Sequence, residues 1–303
     1  MSEVLPQQLL DWGACAPLRL RAKQLAHGMY AGSHRSARRG PGIEFDGHRD
    51  YVPGDDLRRL DYRALMRHDR LLVRQFETET ERSLCLAIDA TESMRYRSGS
   101  APAAKYAYAA LLAAALARIT LRVADNVALD WVGGQTASAL PRMGGNEAFE
   151  RLIGALESVV LGGDDELTER HFEHLMHRIA GRAKRGSVVV LLSDLIDLPP
   201  SAPASFAALG NRDRIVVAVR VLDPVEATFP FRGTLRLRPS HGGEVVETDA
   251  QQARSGYLAA LRQQFETWNE PLLGHGGRLI DCQTSEPPIE VLRRIVQAIG
   301  GQR

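Results

Sequence analysis

Three stretches of this chain are strand-length, almost wholly aliphatic and bounded by polar residues: "SLCLAID" (83–89), "SVVVLLSD" (187–194) and "RIVVAVRVLD" (214–223). A strand with one wet face alternates apolar and polar side chains, whereas a continuous apolar run indicates burial on both faces. Helical patterns fall between them, at about 103–121, 146–160 and 169–183, with a last helix at about 288–299. "VALDWVG" (127–133) and "TASALP" (136–141) read as two short strands around a "GG" turn, and "RLIDCQT" (278–284) as a weaker final strand. Buried strands alternating with helices predict an α/β fold: an open, doubly wound sheet with helices on both sides. Residues 233–249, "GTLRLRPSHGGEVVETD", break the alternation and read as an inserted β-hairpin.

The bulk numbers agree with one large core, or one core plus a smaller attached layer. The chain has 303 residues, of which 44% are hydrophobic. Its 38 Lys and Arg nearly balance 37 Asp and Glu, so a general polyanion-binding surface is not implied. Three cysteines, Cys15, Cys85 and Cys282, are odd in number and far apart. They argue against a disulfide framework and for a reducing compartment. "MSEVLPQQLLDWGACAPL" lacks the basic start and apolar run of a secretory signal. "YAYAALLAAALARITLRVA" carries Arg118 and Arg122, and a buried amphipathic helix explains it better than a membrane span. The expected location is cytoplasmic.

Two domains are expected: 1–82, an N-terminal helix with a densely charged segment, and 83–303, the α/β domain with its hairpin insertion. Residues 10–30 have helical composition, followed by the glycine- and arginine-rich turn "HGMYAGSHRSARRGPG". In 42–82 short apolar anchors alternate with charges. "PGDD" reads as a turn, Asp55 to Arg67 as a local ion-pair network, and "LLVRQF" as a strand.

Ligands of open α/β sheets bind where the strands end. Two strong strands end in aspartates, Asp89 and Asp194. The loop after the first adds the hydroxyls of Thr91 and Ser93. "GGDDELT" offers Asp164, Asp165 and Thr168 from a third direction. Carboxylate and hydroxyl oxygens are hard ligands suited to Mg2+, with Mn2+ as the alternative. The competing explanation is a helix cap or hydrogen-bonded turn, for which the same residue types serve equally well. His171, His174 and His177 in "HFEHLMH" recur along part of one helix face and fit an ordinary, partly exposed helix; Cys85 and Cys282 fit small core residues.

Asp89-x-Thr91-x-Ser93 resembles the first motif of the metal-ion-dependent adhesion site of von Willebrand factor A domains, and Asp194 matches the aspartate of the third loop. The preceding segment resembles one branch, the DUF58 proteins. Their pattern is met here by Gly42, Glu44, Phe45, Arg49, Tyr51, Gly54, Asp55, Asp56, Arg58, Leu60, Asp61, Tyr62, Arg67, Val73, Arg74 and Phe76. The similarity runs from about residue 15 to the end, including "DP" at 223–224. Tyr62 stands for the usual tryptophan, Met66 for an alanine and Thr91 for a serine. Asp164 stands where the second loop supplies a threonine, with Thr168 one helical turn later as the other candidate.

The resemblance implies a von Willebrand A-like sheet. It also implies a metal site built from Asp89, Thr91, Ser93 and Asp194, with Asp164 or Thr168 from the second loop. It implies a non-enzymatic adaptor, in which an open metal position takes a partner carboxylate. The expected partners are a MoxR-type AAA+ ATPase and a client protein. Two alternatives stay open: a Mg2+-dependent hydrolase using Asp89, Asp164 and Asp194, and nucleic-acid binding through Arg35, Arg38 and Arg39.

Overall fold

The computed structural model describes residues 10–31, 45–50, 72–76, 82–134, 138–162, 167–196, 198–211, 213–237 and 246–301. By contacts the chain falls into two units, 35–81 and the remainder. In the smaller unit, β1 (Phe45–Asp50) pairs antiparallel with β2 (Leu72–Phe76), with an irregularity at Phe45/Gly47. The strand expected at "LLVRQF" is β2.

The larger unit opens with a short 3-10 turn and α1 (Leu18–Ala31). It then runs β3 (Ser83–Asp89), α2 (Lys105–Arg122), β4 (Asn126–Val132), β5 (Leu140–Met143), α3 (Gly145–Ser158), α4 (Glu169–Arg182), β6 (Val188–Ser193), α5 (Ala202–Ala207), β7 (Ile215–Leu222), α6 (Pro224–Thr228), β8 (Thr234–Leu237), β9 (Val246–Asp249), α7 (Ala250–Gly274), β10 (Arg278–Gln283) and α8 (Pro288–Gly300). The sheet order is β10-β7-β6-β3-β4-β5. All neighbours are parallel except β5, which runs antiparallel to β4. This is the α/β fold that the sequence predicts, an open mixed sheet with helices on both faces.

The alternation along each strand shows why those runs had to be continuously apolar. Leu84, Leu86 and Ile88, with Val190 and Leu192 and with Val217, Val219 and Val221, join the core under α2, α3 and α8. Their neighbours Cys85 and Ala87, Val189 and Leu191, and Val216 and Ala218 join a second core under α4, α5 and the end of α7. Adjacent side chains point to opposite faces, so both must be apolar when helices cover both.

α2 departs from the amphipathic pattern expected of it. Every side chain from Lys105 to Ala117 is buried, because α1 packs over the side turned away from the sheet. Its alanines let neighbouring helices approach closely. No described helix is long and apolar enough to cross a membrane. β5 begins at Leu140, several residues later than the "TASALP" expectation. The inserted hairpin is present as β8 and β9 in antiparallel register, and its turn lies outside the described residues. The 25-residue α7 has no counterpart in the sequence reading: only Ala250, Trp268 and Leu272 are buried, so it lacks a strong apolar stripe. All three cysteines are buried and free.

Candidate ligand edge at the strand ends

β3, β6 and β7 are parallel, so their C-terminal ends deliver Asp89, then Ser193 and Asp194, then Asp223 to one end of the sheet. Asp89, Ser193, Asp194 and Asp223 all have zero relative exposure. Buried carboxylates need hydrogen-bond donors, and each of the three finds a different set.

Asp89 is satisfied by neutral donors. Its Oδ1 accepts from the Thr91 backbone N–H at 2.9 Å and from the Thr91 hydroxyl at 2.7 Å. Its Oδ2 accepts a very short bond from the Ser193 hydroxyl, which in turn accepts from the Leu195 N–H at 2.8 Å. Burial, reinforced by the nearby Asp194 charge, pushes the Asp89 carboxyl up to about 7, and the Ser193 and Thr91 bonds only partly offset this.

Asp194 is satisfied by a cation. Its Oδ1 accepts from the Ile196 N–H at 2.8 Å, and its Oδ2 from Lys105 Nζ at 2.8 Å. Lys105 is the first residue of α2 and has zero exposure. Its ammonium also donates to Glu226 Oε1 at 2.7 Å. Burial alone would lower the lysine; Asp194 first and Glu226 next more than reverse this, and the net shift is upward. Burial raises Glu226, against the lowering pull of Lys105. The Tyr96 ring lies 5.9 Å from the same ammonium.

Asp223 caps α6. Its Oδ1 accepts from the Val225 N–H and its Oδ2 from the Ser98 N–H, at 2.9 and 2.8 Å. Glu226 Oε2 returns to the Asp223 N–H at 2.9 Å, completing a capping box with Pro224 at the first helical position. The "DP" pair is thus the start of a helix that holds out Glu226.

The loop after β3 is tied to its neighbours by backbone bonds. The Ala90 N–H donates to Val132 O at 2.8 Å, and the Gly162 N–H to Ala90 O at 2.9 Å. Gly162 has φ +85°, and an added Cβ would come within 2.5 Å of Glu92 Oε2. Arg95 donates from Nη2 to Leu161 O at 2.9 Å and from Nε to Glu92 Oε1 at 2.8 Å.

Of the residues expected to hold a metal, the structure brings Thr91 and Ser93 together, with their hydroxyl oxygens 3.1 Å apart. Asp89 orients Thr91 from beneath, and Ser193 links Asp89 to the end of β6. Asp164 and Asp165 lie outside the described residues. Thr168 serves as N-cap of α4, accepting from the His171 N–H at 3.4 Å. His171, His174 and His177 are all exposed on α4. Among the described residues, no group of three or more His, Cys, Asp or Glu is placed to hold a metal.

A small divalent ion fits part of this set. Octahedral Mg2+ with bonds of about 2.0–2.1 Å puts neighbouring ligand oxygens about 2.9 Å apart, near the observed hydroxyl spacing. Thr91 spends its proton on Asp89 and keeps lone pairs for an ion. Asp89 already accepts three bonds, which suits contact through water. Asp194, by contrast, has its charge matched by Lys105.

Ser193, Lys105 and Glu226 escaped the sequence reading. The available signal for Lys105 was a single charge at the head of an otherwise apolar run. For Glu226 it was the D-P-x-E spacing of a capping box.

Several solved structures are similar at low identity. Von Willebrand factor type A from Catenulispora acidiphila has a TM-score of 0.43 and 13% identity, covering 76% of this chain and 44% of that one. An aerotolerance-related membrane protein from Bacteroides fragilis has a TM-score of 0.46 and 17% identity, covering 73% and 99%. In sequence, uncharacterized proteins of Mycobacterium tuberculosis and Mycobacterium bovis are each 25% identical over 294 residues, 96% of this chain and 89% of theirs. The family model described as "Protein of unknown function DUF58" matches residues 47–267. That match spans well over half of the chain, which therefore belongs to the DUF58 family.

Proposed function

We propose that this DUF58 protein is a non-enzymatic interaction module, an adaptor that binds a partner carboxylate through a Mg2+ ion at the Asp89–Thr91–Ser93 loop. The observation that carries the reading is the hydroxyl pair. Thr91 and Ser93 stand 3.1 Å apart beyond the end of β3, with the threonine proton directed to Asp89. The partner class is a MoxR-type AAA+ ATPase with its client, which rests on the resemblance described above; the setting is cytoplasmic, which rests on the cysteine usage and the N-terminal sequence. Metal and partner would strengthen each other's binding through the shared carboxylate.

Affinity purification from cell extract, with Mg2+ and with chelator, tests this. An ATPase retained only with Mg2+, and lost in folded Asp89→Ala, is the expected result. Retention unaffected by either change sinks the reading. Charge reversal at Arg35, Arg38 and Arg39, which lie outside the described residues, is the control, expected to alter mainly salt-sensitive encounter.

Among the described residues, the raised Asp89 carboxyl is the feature that favours hydrolysis, since perturbed acids gather at reactive sites. Turnover of a phosphate ester by wild type, abolished by Asp89→Ala, would transfer the assignment to an enzyme.

A further inference from the structure

Lys105 is expensive where it stands. Lysine is almost never fully buried, and its ammonium here is removed from water altogether. It is also the first residue of α2, at the positive end of the helix dipole, where a cation is disfavoured. Nothing in the packing of α2 asks for a charge there, since the twelve residues that follow it are also buried and include no other charged side chain. Its ammonium donates to Asp194 and Glu226, both beyond strand ends.

We infer that Lys105 is the residue that sets the affinity of this edge for divalent ions, by acting as a resident cation on Asp194. The inference deepens the metal reading above and rests on it. The charges decide the direction. Asp89 and Asp194 stand at the same end of two adjacent parallel strands, and both are fully buried. A divalent ion held by the Thr91 and Ser93 hydroxyls would draw on both carboxylates. The ammonium already takes one Asp194 oxygen at 2.8 Å and opposes a second positive charge nearby. Glu226 prevents the lysine from simply leaving: its Oε1 holds the ammonium while its Oε2 is fixed in the α6 cap. The wild-type edge is therefore ordered without metal, and it binds Mg2+ weakly. Lys105 is a positioning residue that works through Asp194.

The test is a calorimetric Mg2+ titration, paired with thermal unfolding in Mg2+ and in chelator, on the full chain. Wild type is compared with Lys105→Met and with the double variant Lys105→Met/Asp194→Asn. Lys105→Met is expected to bind Mg2+ at least tenfold more tightly than wild type. Its Tm should fall in chelator and recover with Mg2+, while wild-type Tm changes little. The double variant should lose the affinity gain, because the released carboxylate is gone. A purely structural lysine would lower Tm and leave Mg2+ affinity unmoved. Lys105→Met binding Mg2+ no tighter than wild type overturns the inference and leaves the metal site standing. So does Lys105→Met remaining unfolded at 10-fold excess Mg2+ over the wild-type Kd. A double variant that keeps the whole gain also overturns it, since Asp194 is then not the link. If wild type and Lys105→Met are both folded and neither binds Mg2+ or Mn2+, the metal reading itself falls and takes this inference with it.

Discussion

Asp89 and Asp194 close adjacent strands, are equally buried, and lie near enough to feel each other's charge, yet they are stabilised in opposite ways. Asp89 is surrounded by hydroxyl and amide donors and, among the described residues, carries no matching cation. Asp194 is paired with an ammonium that is as buried as itself. The difference teaches that charge balance at this edge is divided between loops. The β3 loop holds a carboxylate whose ionisation costs free energy, while the β6 loop has its compensation built in. An incoming cation has more to offer the first than the second. Another buried aspartate, Asp130 on β4, shows what an ordinary clamp looks like. It pairs with Arg178 and Arg182 of α4, whose side chains stay partly in water.

Removing the resident cation should have the largest effect. Lys105→Ala strands two carboxylates and empties a buried site, so a loss of about 3–5 kcal/mol is expected in metal-free chemical unfolding. Asp130→Ala should cost less, about 1.5–3 kcal/mol, because the orphaned arginines can reach water. Equal losses would erase the distinction between edge and clamp.

The next effect is pH dependence, and it sharpens the contrast at Asp89. Its folded carboxyl lies above the unfolded value of about 4. A raised carboxyl favours the fold while protonated, so that contribution is complete below about pH 4 and lost as pH rises through about 7. Wild-type Tm in chelator, compared with Asp89→Asn across this window, should decline more steeply toward pH 8. Parallel curves would mean that Asp89 is not the strained member of the pair.

Gly162→Ala should come third. Its positive φ and the approach to Glu92 both oppose a methyl group, and a cost of about 1–2 kcal/mol is expected. The smallest change is Thr168→Ala. Loss of a long N-cap bond should lower stability by about 0.5–1 kcal/mol. An unchanged Mg2+ isotherm is expected for this variant. A lost isotherm would move Thr168 from cap to ligand.

How far this could be read from sequence follows from the range of each interaction. β3, β6 and β7 were legible because burial on both faces leaves no room for polar residues, and such runs announce themselves locally. The Asp89–Thr91–Ser93 turn was legible for the same reason: its bonds span two residues. α7 was not, because an exposed helix has little apolar periodicity to detect. The pairing of Lys105 with Asp194 crosses 89 residues and with Glu226 crosses 121, and no local pattern marks either. Ser193 looked like the end of an aliphatic strand, and only its partner on β3 gives it a role.

Glu226 joins contacts of very different reach. One oxygen closes a capping box three residues long; the other meets a helix 121 residues earlier in the chain. Local contacts form early in folding, and those that close long loops arrive late. In a refolding experiment α6 would thus be dressed with its cap while the lysine is still elsewhere, leaving one carboxylate oxygen waiting. The order of events makes the strand-end edge among the last parts of the domain to reach charge neutrality, and a chain released before that moment would display it as an acidic face.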